Sequence, residues 1–200
     1  LDALTNESKM ANLAACDAFV ATETYPVLKT FASKIPPVEE EIKIWNGTEI
    51  APSKGSGTEA DPYLIETAEE LAYIAKNGCW EKYYKLTKDI YLNDIDKIDW
   101  ATGAVDEGYT VNSWYTTDAL DATKAFVGTF DGDGHVVYGL YTNNNENVAT
   151  ALFPLIHDGM STTIKNLGIE SSYLSVAWYS AAFVGRAYGS HGGGTLTIEN

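Results

Sequence analysis

Residues 84–92 largely alternate between apolar and polar positions. Tyr84, Leu86, Ile90 and Leu92 are apolar, while Lys85, Thr87 and Asp89 are polar. A period of two predicts a strand with one face buried. The alternation returns at Val136, Tyr138 and Leu140, and again at Leu196 and Ile198. It also returns at Ile164, Leu167 and Ile169, with a phase slip at Asn166 that suits a corner, because Asn tolerates left-handed backbone. One segment has another period. Ala68, Leu71, Ile74 and Ala75 fall on one helical face. Thr67 with Glu70 forms a capping box, and Asn77-Gly78 supplies a stop, so a helix is predicted over 68–77.

The flanking segments read less regularly. Ile42, Ile44 and Trp45 predict a short strand, followed by turns at Asn46-Gly47 and Gly55-Ser56-Gly57. The glycine stretch lacks the phosphate-loop pattern and its lysine. Residues 93–124 form a polar excursion holding Trp100, Tyr109, Trp114 and Tyr115, expected as an extended loop on one side. Residues 32–41, ASKIPPVEEE, read as a stiff linker. In residues 1–31, Leu4, Met10, Leu13 and Ala14 suggest a short helix from Thr5, and YPVLKTF an extended stretch. So short a segment cannot bury a core and must pack on something else.

The chain also repeats itself. AFVGTF, ALFPLI and AAFVGR are variants of one phrase, each followed by a turn and a second strand. Their central residues Phe126, Phe153 and Phe183 stand 27 and 30 apart, and Val136, Ile164 and Leu196 stand 28 and 32 apart. Two short strands and their turns in such a repeat predict an all-β fold, a parallel β-helix in which Phe stacks over Phe and Ile over Val. Gly128, Gly132, Gly134, Gly139, Gly168 and Gly185 would serve its corners, and the helix would cap its N-terminal end. An antiparallel sandwich of hairpins is the alternative, but hairpins require no repeat of side-chain identity.

Composition narrows the function. Hydrophobic residues at 45% and charged residues at 20% mark a globular chain. No apolar run approaches the roughly 20 residues of a membrane-spanning helix. The opening LDALTNESKM has neither a basic n-region nor an apolar h-region, as expected of a mature or excised chain. Thirteen Lys and Arg against 28 Asp and Glu give −15, and Arg186 is the only arginine. Such a surface repels phosphates, which argues against nucleic acid and anionic lipid as partners. The acidity suits an extracellular protein, although many cytosolic proteins share it. Cys16 and Cys79 are the only cysteines; they could close a long disulfide loop or remain two thiols.

Candidate chemistry is sparse. Asp131-Gly132-Asp133-Gly134 resembles the start of a calcium loop, but His135, Val136 and Thr142 occupy positions where an EF-hand needs a ligand, Gly and Glu. A tight turn capped by aspartate is the simpler reading. Asn93, Asp94, Asp96 and Asp99 form a second acidic cluster, and Asn143, Asn144, Asn145 and Asn147 a polar loop. His135, His157 and His191 lack the spacing of a triad or a metal motif. Trp80, Trp100, Tyr109, Trp114, Tyr115, Trp178 and Tyr179 exceed what a regular column needs. Sugar rings stack on exposed aromatics, so Trp100, Tyr109, Trp114 and Tyr115 are the candidate glycan-binding residues; the competing reading is that they wedge long loops onto the fold.

The stretches GSGTEADPYLIETAEELAYIA, YYKLTKDIYL, FVGTFDGDGHVVYGLYT, ALFPLI and TIKNLGIE resemble the GLUG-motif β-helix proteins of bacterial cell surfaces over roughly residues 43–200. FDGDGHVVYGL and IKNLGI carry most of the likeness. The naming motif itself is altered, with Ala151-Leu152-Phe153-Pro154 where Gly-Leu-Phe-Gly is usual. The resemblance implies a right-handed parallel β-helix in a secreted or wall-anchored protein, an adhesion or carbohydrate-associated module with no cofactor and no catalytic set. It implies glycan or surface-protein partners; end-to-end self-association, with Leu196 and Ile198 offered to a neighbour, would be the mark of a structural spacer. It also makes residues 1–31 look like the tail of a preceding repeat domain, with the whole chain a window of a longer array. A polysaccharide lyase or glycosidase on the same fold and a structural spacer or filament subunit are the alternatives; the single arginine and the lack of an assignable acid pair argue against the enzyme.

Overall fold

The computed structural model describes residues 41–117, 122–144, 149–188 and 192–200, together with two short upstream strands, β1 (Phe19–Val20) and β2 (Val27–Leu28). Contacts group the chain into two units, 1–41 and 42–200. In the first, β1 and β2 pair antiparallel, with Phe19 opposite Leu28 and Val20 opposite Val27. The helix expected from Thr5, nearly all of the linker, and Cys16 with any disulfide to Cys79 lie outside the described residues.

Among its described residues the second unit is mostly β structure with parallel sheets and one α-helix. Its long sheet contains β3 (Tyr63–Ile65), β4 (Cys79–Leu86), β9 (Phe126–Asp131), β13 (Phe153–Ile156), β14 (Thr162–Lys165), β18 (Val184–Ala187) and β19 (Leu196–Glu199). Every pairing within it is parallel. Strands β5 (Ile90–Tyr91), β10 (Val136–Tyr138) and β15 (Gly168–Glu170) form a second parallel sheet. Strands β11 (Tyr141–Asn143) and β16 (Tyr173–Ser175) form a third. In the fourth, β12 (Ala149–Thr150) pairs parallel with β17 (Tyr179–Ser180) and antiparallel with β8 (Thr116–Thr117). The chain therefore visits the sheets in one order and then returns to lie beside its earlier strands in that order.

The helix α1 (Ala68–Asn77) forms where the pattern placed it. Thr67 Oγ1 accepts the Glu70 N–H at 3.3 Å, and Glu70 Oε2 accepts the Thr67 and Glu66 N–H groups at 3.2 and 2.8 Å. This satisfies donors that a helix start otherwise leaves open. α1 packs on β3 and β13 and buries Leu71, Ala72 and Ile74. These side chains join Phe126, Phe130, Phe153, Leu86, Leu92, Leu140 and Ile164 in one core.

The repeat is present, but its register differs from the one the phrases suggest. Gly128, Thr162 and Leu196 are direct neighbours, at equal steps of 34 residues. Phe126 lies opposite Ile156, and Phe153 opposite Val184. Ile164 sits between Phe130 and Ile198, while Val136 lies opposite Gly168 in another sheet. The cause is the length of β9: its first residue meets β13 and the rest meets β14. Phe126 and Phe153 nonetheless stack, at 4.2 Å between centroids, because side chains of that size reach across the offset.

Other expectations need correction. The strand expected over 84–92 is two strands in two sheets, though Tyr84, Leu86, Ile90 and Leu92 are all buried as its alternation required. The strand at Ile42 reduces to one parallel bridge, Ile44 to Tyr91. In β10 it is Val137 that is fully buried, with Val136 and Tyr138 half-buried. Gly139 (φ +77°) turns the chain there, and a Cβ on it would lie 2.7 Å from the Asn93 nitrogen. The turn resets the alternation, so Leu140 is buried too. Gly128, Gly168 and Gly185 lie inside strands rather than at corners. Asn166 does hold a left-handed corner, at φ +50°.

Candidate functional site

The excursion is an anchored loop. It contains a 3-10 turn at Ile95–Lys97 and a small antiparallel pair, β6 (Ile98–Asp99) with β7 (Ala104–Val105). Asn93, completely buried, is its hub. The Asn93 amide donates to the carbonyls of Asn112 (2.9 Å) and Gly139 (2.8 Å), and its Oδ1 accepts the Asn112 N–H at 2.7 Å. Asn112 in turn donates to the Trp45 carbonyl at 2.6 Å. Farther along, the Tyr141 hydroxyl donates to the Gly103 carbonyl at 3.0 Å, and a Cβ on Gly103 would strike the Tyr173 ring, so the loop covers the β11–β16 face.

The four aromatics singled out from the sequence separate here. Trp114 is only 2% exposed; its ring lies 5.2 Å from Trp45 and 5.1 Å from Tyr115, and its indole N–H donates to the Leu152 carbonyl at 3.1 Å. It has no free face for a sugar. Tyr115 completes this cluster, 5.8 Å from Trp45. Its hydroxyl is buried without a hydrogen bond of normal geometry among the described residues, and Lys76 lies 5.0 Å from the ring centroid. Burial, and then the nearby Glu49 carboxylate, push the Tyr115 phenol well up. Trp100 and Tyr109 are half-buried and stand apart from that cluster. The Trp100 indole donates to the Ile95 carbonyl at 2.9 Å, and the Tyr109 hydroxyl accepts the Asp94 N–H at 2.9 Å while lying 3.4 Å from Asn93 Oδ1.

A different aromatic pair lies on the β5–β10–β15 face. Ile90 and Val137 are buried and in register; the next register row is Tyr91, Tyr138 and Glu170. The Tyr91 and Tyr138 rings stack at 4.7 Å and 14°. Asp89 borders this row: its Oδ1 accepts the Val136 N–H at 3.0 Å and lies 3.2 Å from His135 Nδ1. At the other border, Gly139 binds Asn93 and through it Tyr109. Burial, then the Glu170 and Asp89 carboxylates and Tyr91, raise the Tyr138 phenol above its ordinary value, so its hydroxyl stays protonated and able to donate. The sequence carried a signal for this pair, the repeated aliphatic-Tyr step Ile90-Tyr91 and Val137-Tyr138. Assigning Tyr138 to the inward phase concealed it.

The long sheet presents two polar rows. Tyr83, Thr129, Thr163 and Thr197 are aligned, as are Lys85, Asp131, Lys165 and Glu199. Lys165 pairs with Asp131 at 3.4 Å and Lys85 with Asp133 at 3.0 Å. Asp131 Oδ1 accepts the Asp133 N–H at 2.9 Å and the Asn166 amide at 3.0 Å. Burial opposes ionisation of Asp131, but these hydrogen bonds and Lys165 outweigh it and hold the carboxyl below its ordinary range. The aspartates of this turn thus serve the turn and the ladder. Among the described residues no group of three His, Cys, Asp or Glu could hold a metal ion. His157 Nδ1 accepts the Gly159 N–H at 3.1 Å; His191, Asn145 and Asn147 lie outside the described residues.

Chemically, the Tyr91–Tyr138 face joins flat apolar surface to phenol, carboxylate and imidazole groups. That combination matches a polyol with an apolar ring face. Tyr91 and Tyr138 share one face; Trp114 and Tyr115 share the core; Trp100 and Tyr109 hold the excursion.

No known family's sequence profile matches the chain. No solved structure matches it either. Three known proteins share parts of it. Glucosyltransferase-S of Streptococcus mutans is 29% identical over 131 residues, 60% of this chain and 9% of that protein. A protein named as a Gly-rich membrane protein of Evansella cellulosilytica is 30% identical over 139 residues, 68% of this chain and 14% of that protein. Halomucin of Haloquadratum walsbyi is 28% identical over 119 residues, 59% of this chain and 1% of that protein. The chain thus spans a small part of each relative. Among its described residues no helix is long and apolar enough to cross a membrane.

Proposed function

We propose that residues 42–200 form a non-catalytic carbohydrate-binding module of a bacterial cell-surface or secreted protein, built as a right-handed parallel β-helix of the GLUG-motif kind. The observation that carries this reading is the stacked Tyr91–Tyr138 pair beside Asp89, His135 and Glu170. Parallel pairing in the 34-residue steps of the long sheet supports the β-helix. A membrane protein and a mucin-named protein among the relatives support an extracellular setting. The transferase activity in the name of the Streptococcus mutans relative belongs to a protein of which the matched stretch is 9%. Tyr109 and Trp100 extend the tyrosine face as secondary contacts, and the first unit belongs to a preceding module of the same protein.

The test is a glycan array probed with the chain and with its Tyr91→Ala/Tyr138→Ala double variant. Binding to a defined set of glycans that falls at least tenfold in the variant supports the proposal. Binding that survives the double substitution, or no glycan bound at all, refutes it. Release of reducing or unsaturated ends from acidic polysaccharides would overturn the non-catalytic part.

A further inference from the structure

The tyrosine face continues past Tyr91. Ile44 is the parallel partner of Tyr91, and the following N–H, that of Trp45, donates to the Tyr91 carbonyl at 2.9 Å. The Asn112 amide holds the Trp45 carbonyl in turn, so this short segment is tied from two sides. Trp45 is almost wholly buried in the core cluster. Successive side chains of an extended segment point to opposite faces, so Ile44 takes the outward phase, where it is half-buried like the two tyrosines.

Ile44, Tyr91 and Tyr138 therefore form one outward row on three neighbouring strands. Adjacent strands stand about 4.8 Å apart, so the row runs roughly 10 Å from Ile44 to Tyr138. A single sugar ring does not cover that length. One strand step is, however, close to the advance of one pyranose residue in an extended chain. A linear glycan crossing the strands thus sets one ring against each side chain. The borders of the row favour that direction. Asp89 and His135 stand on one side of the tyrosines, and Asn93 with Tyr109 on the other. Polar groups on both sides confine a ligand along the strands and offer partners to its hydroxyls, while the row itself stays apolar.

We propose that Ile44 is a third platform of the glycan site, and that the site takes linear oligosaccharides of three or more residues lying across the strands. This inference rests on the carbohydrate reading of Tyr91 and Tyr138. A reader of single terminal sugars would instead converge its polar groups on one enclosed pocket. Here the platforms are spread in a row, each on its own strand.

The test is an array of linear glucan, xylan, mannan and chitin oligomers, from the monosaccharide to the hexasaccharide. It is probed with the full chain, with Ile44→Asp and with Ile44→Thr, each first shown folded by circular dichroism. In the series that binds, the unaltered chain should gain about tenfold or more from disaccharide to tetrasaccharide. Ile44→Asp should remove most of that gain and leave the disaccharide unchanged, because Tyr91 and Tyr138 suffice for two rings. Ile44→Thr keeps the β-branched shape and covers the case in which the charged variant does not fold; it should lose about threefold on the tetrasaccharide. Equal binding at every length, a preference for single sugars, or a gain untouched in the folded Ile44 variants overturns this inference and leaves the tyrosine face standing. Binding to no oligomer overturns both.

Discussion

Two aromatic clusters in this protein, of similar composition, have opposite surroundings. Trp45, Trp114 and Tyr115 meet edge to face or tilted, with Trp45 and Trp114 almost wholly buried. Tyr91 and Tyr138 stack in parallel and are half-buried on a sheet face. The first cluster joins segments distant in sequence, and its indole donor is consumed by the Leu152 carbonyl. The second is a repeat product: successive passes of the chain place Tyr over Tyr in register. An aromatic supplied by an irregular loop is fixed by whatever it can bury. An aromatic on the outer phase of a ladder stays at the surface because the inner phase already fills the core.

The comparison predicts a ranked set of losses. Trp114→Ala should have the largest effect on stability, about 3–5 kcal/mol in urea unfolding, from lost burial and the cavity left behind. Asn93→Ala comes next, at about 1–3 kcal/mol, because it strands the Gly139 and Asn112 carbonyls that it now satisfies. Thr67→Ala should cost about 1 kcal/mol by removing the cap of α1. Tyr138→Ala should cost no more than about 1.5 kcal/mol, the range of an aromatic pair, while removing glycan binding. If Tyr138→Ala destabilised the protein as much as Trp114→Ala, the two clusters would play the same structural part.

The smallest effect is acid sensitivity. The folded pKa of Asp131 lies below its ordinary value of 3.8. Its contribution to stability is therefore complete above that value and is lost as pH falls through the folded pKa. The thermal midpoint should drop across that acid range, and less so in Lys165→Met, which removes the paired ammonium. An equal drop in both proteins would mean that Lys165 has no part in the effect. The Asp131 side chain is half-buried and still touches solvent, so screening keeps the effect modest.

Local signals in the sequence were the most legible. The capping box of Thr67 and Glu70 needs only residues three apart, and the helix formed where it was expected. The recurrence of apolar phrases pointed to strands lying beside earlier strands. Register was not legible, because similarity among Phe126, Phe153 and Phe183 reports side-chain volume, whereas pairing depends on where the 157–161 turn divides β13 from β14. The phase of Tyr138 was lost for a related reason: a strict alternation through Val136, Tyr138 and Leu140 ignores Gly139, whose positive φ resets which side chain faces inward. Asn93 looked like part of an acidic ligand cluster. Only its partners at positions 109, 112 and 139 reveal it as the anchor of the excursion, and none of these is close in sequence.

The most direct test sets the aromatic faces against each other on one glycan array: the unaltered chain, Tyr91→Ala/Tyr138→Ala, and Trp100→Ala/Tyr109→Ala, each first shown to be folded. The account predicts that the lateral-face variant loses binding at least tenfold while the excursion variant keeps most of it. Full binding by the lateral-face variant, with loss in the excursion variant, would contradict the account and return the site to the loop.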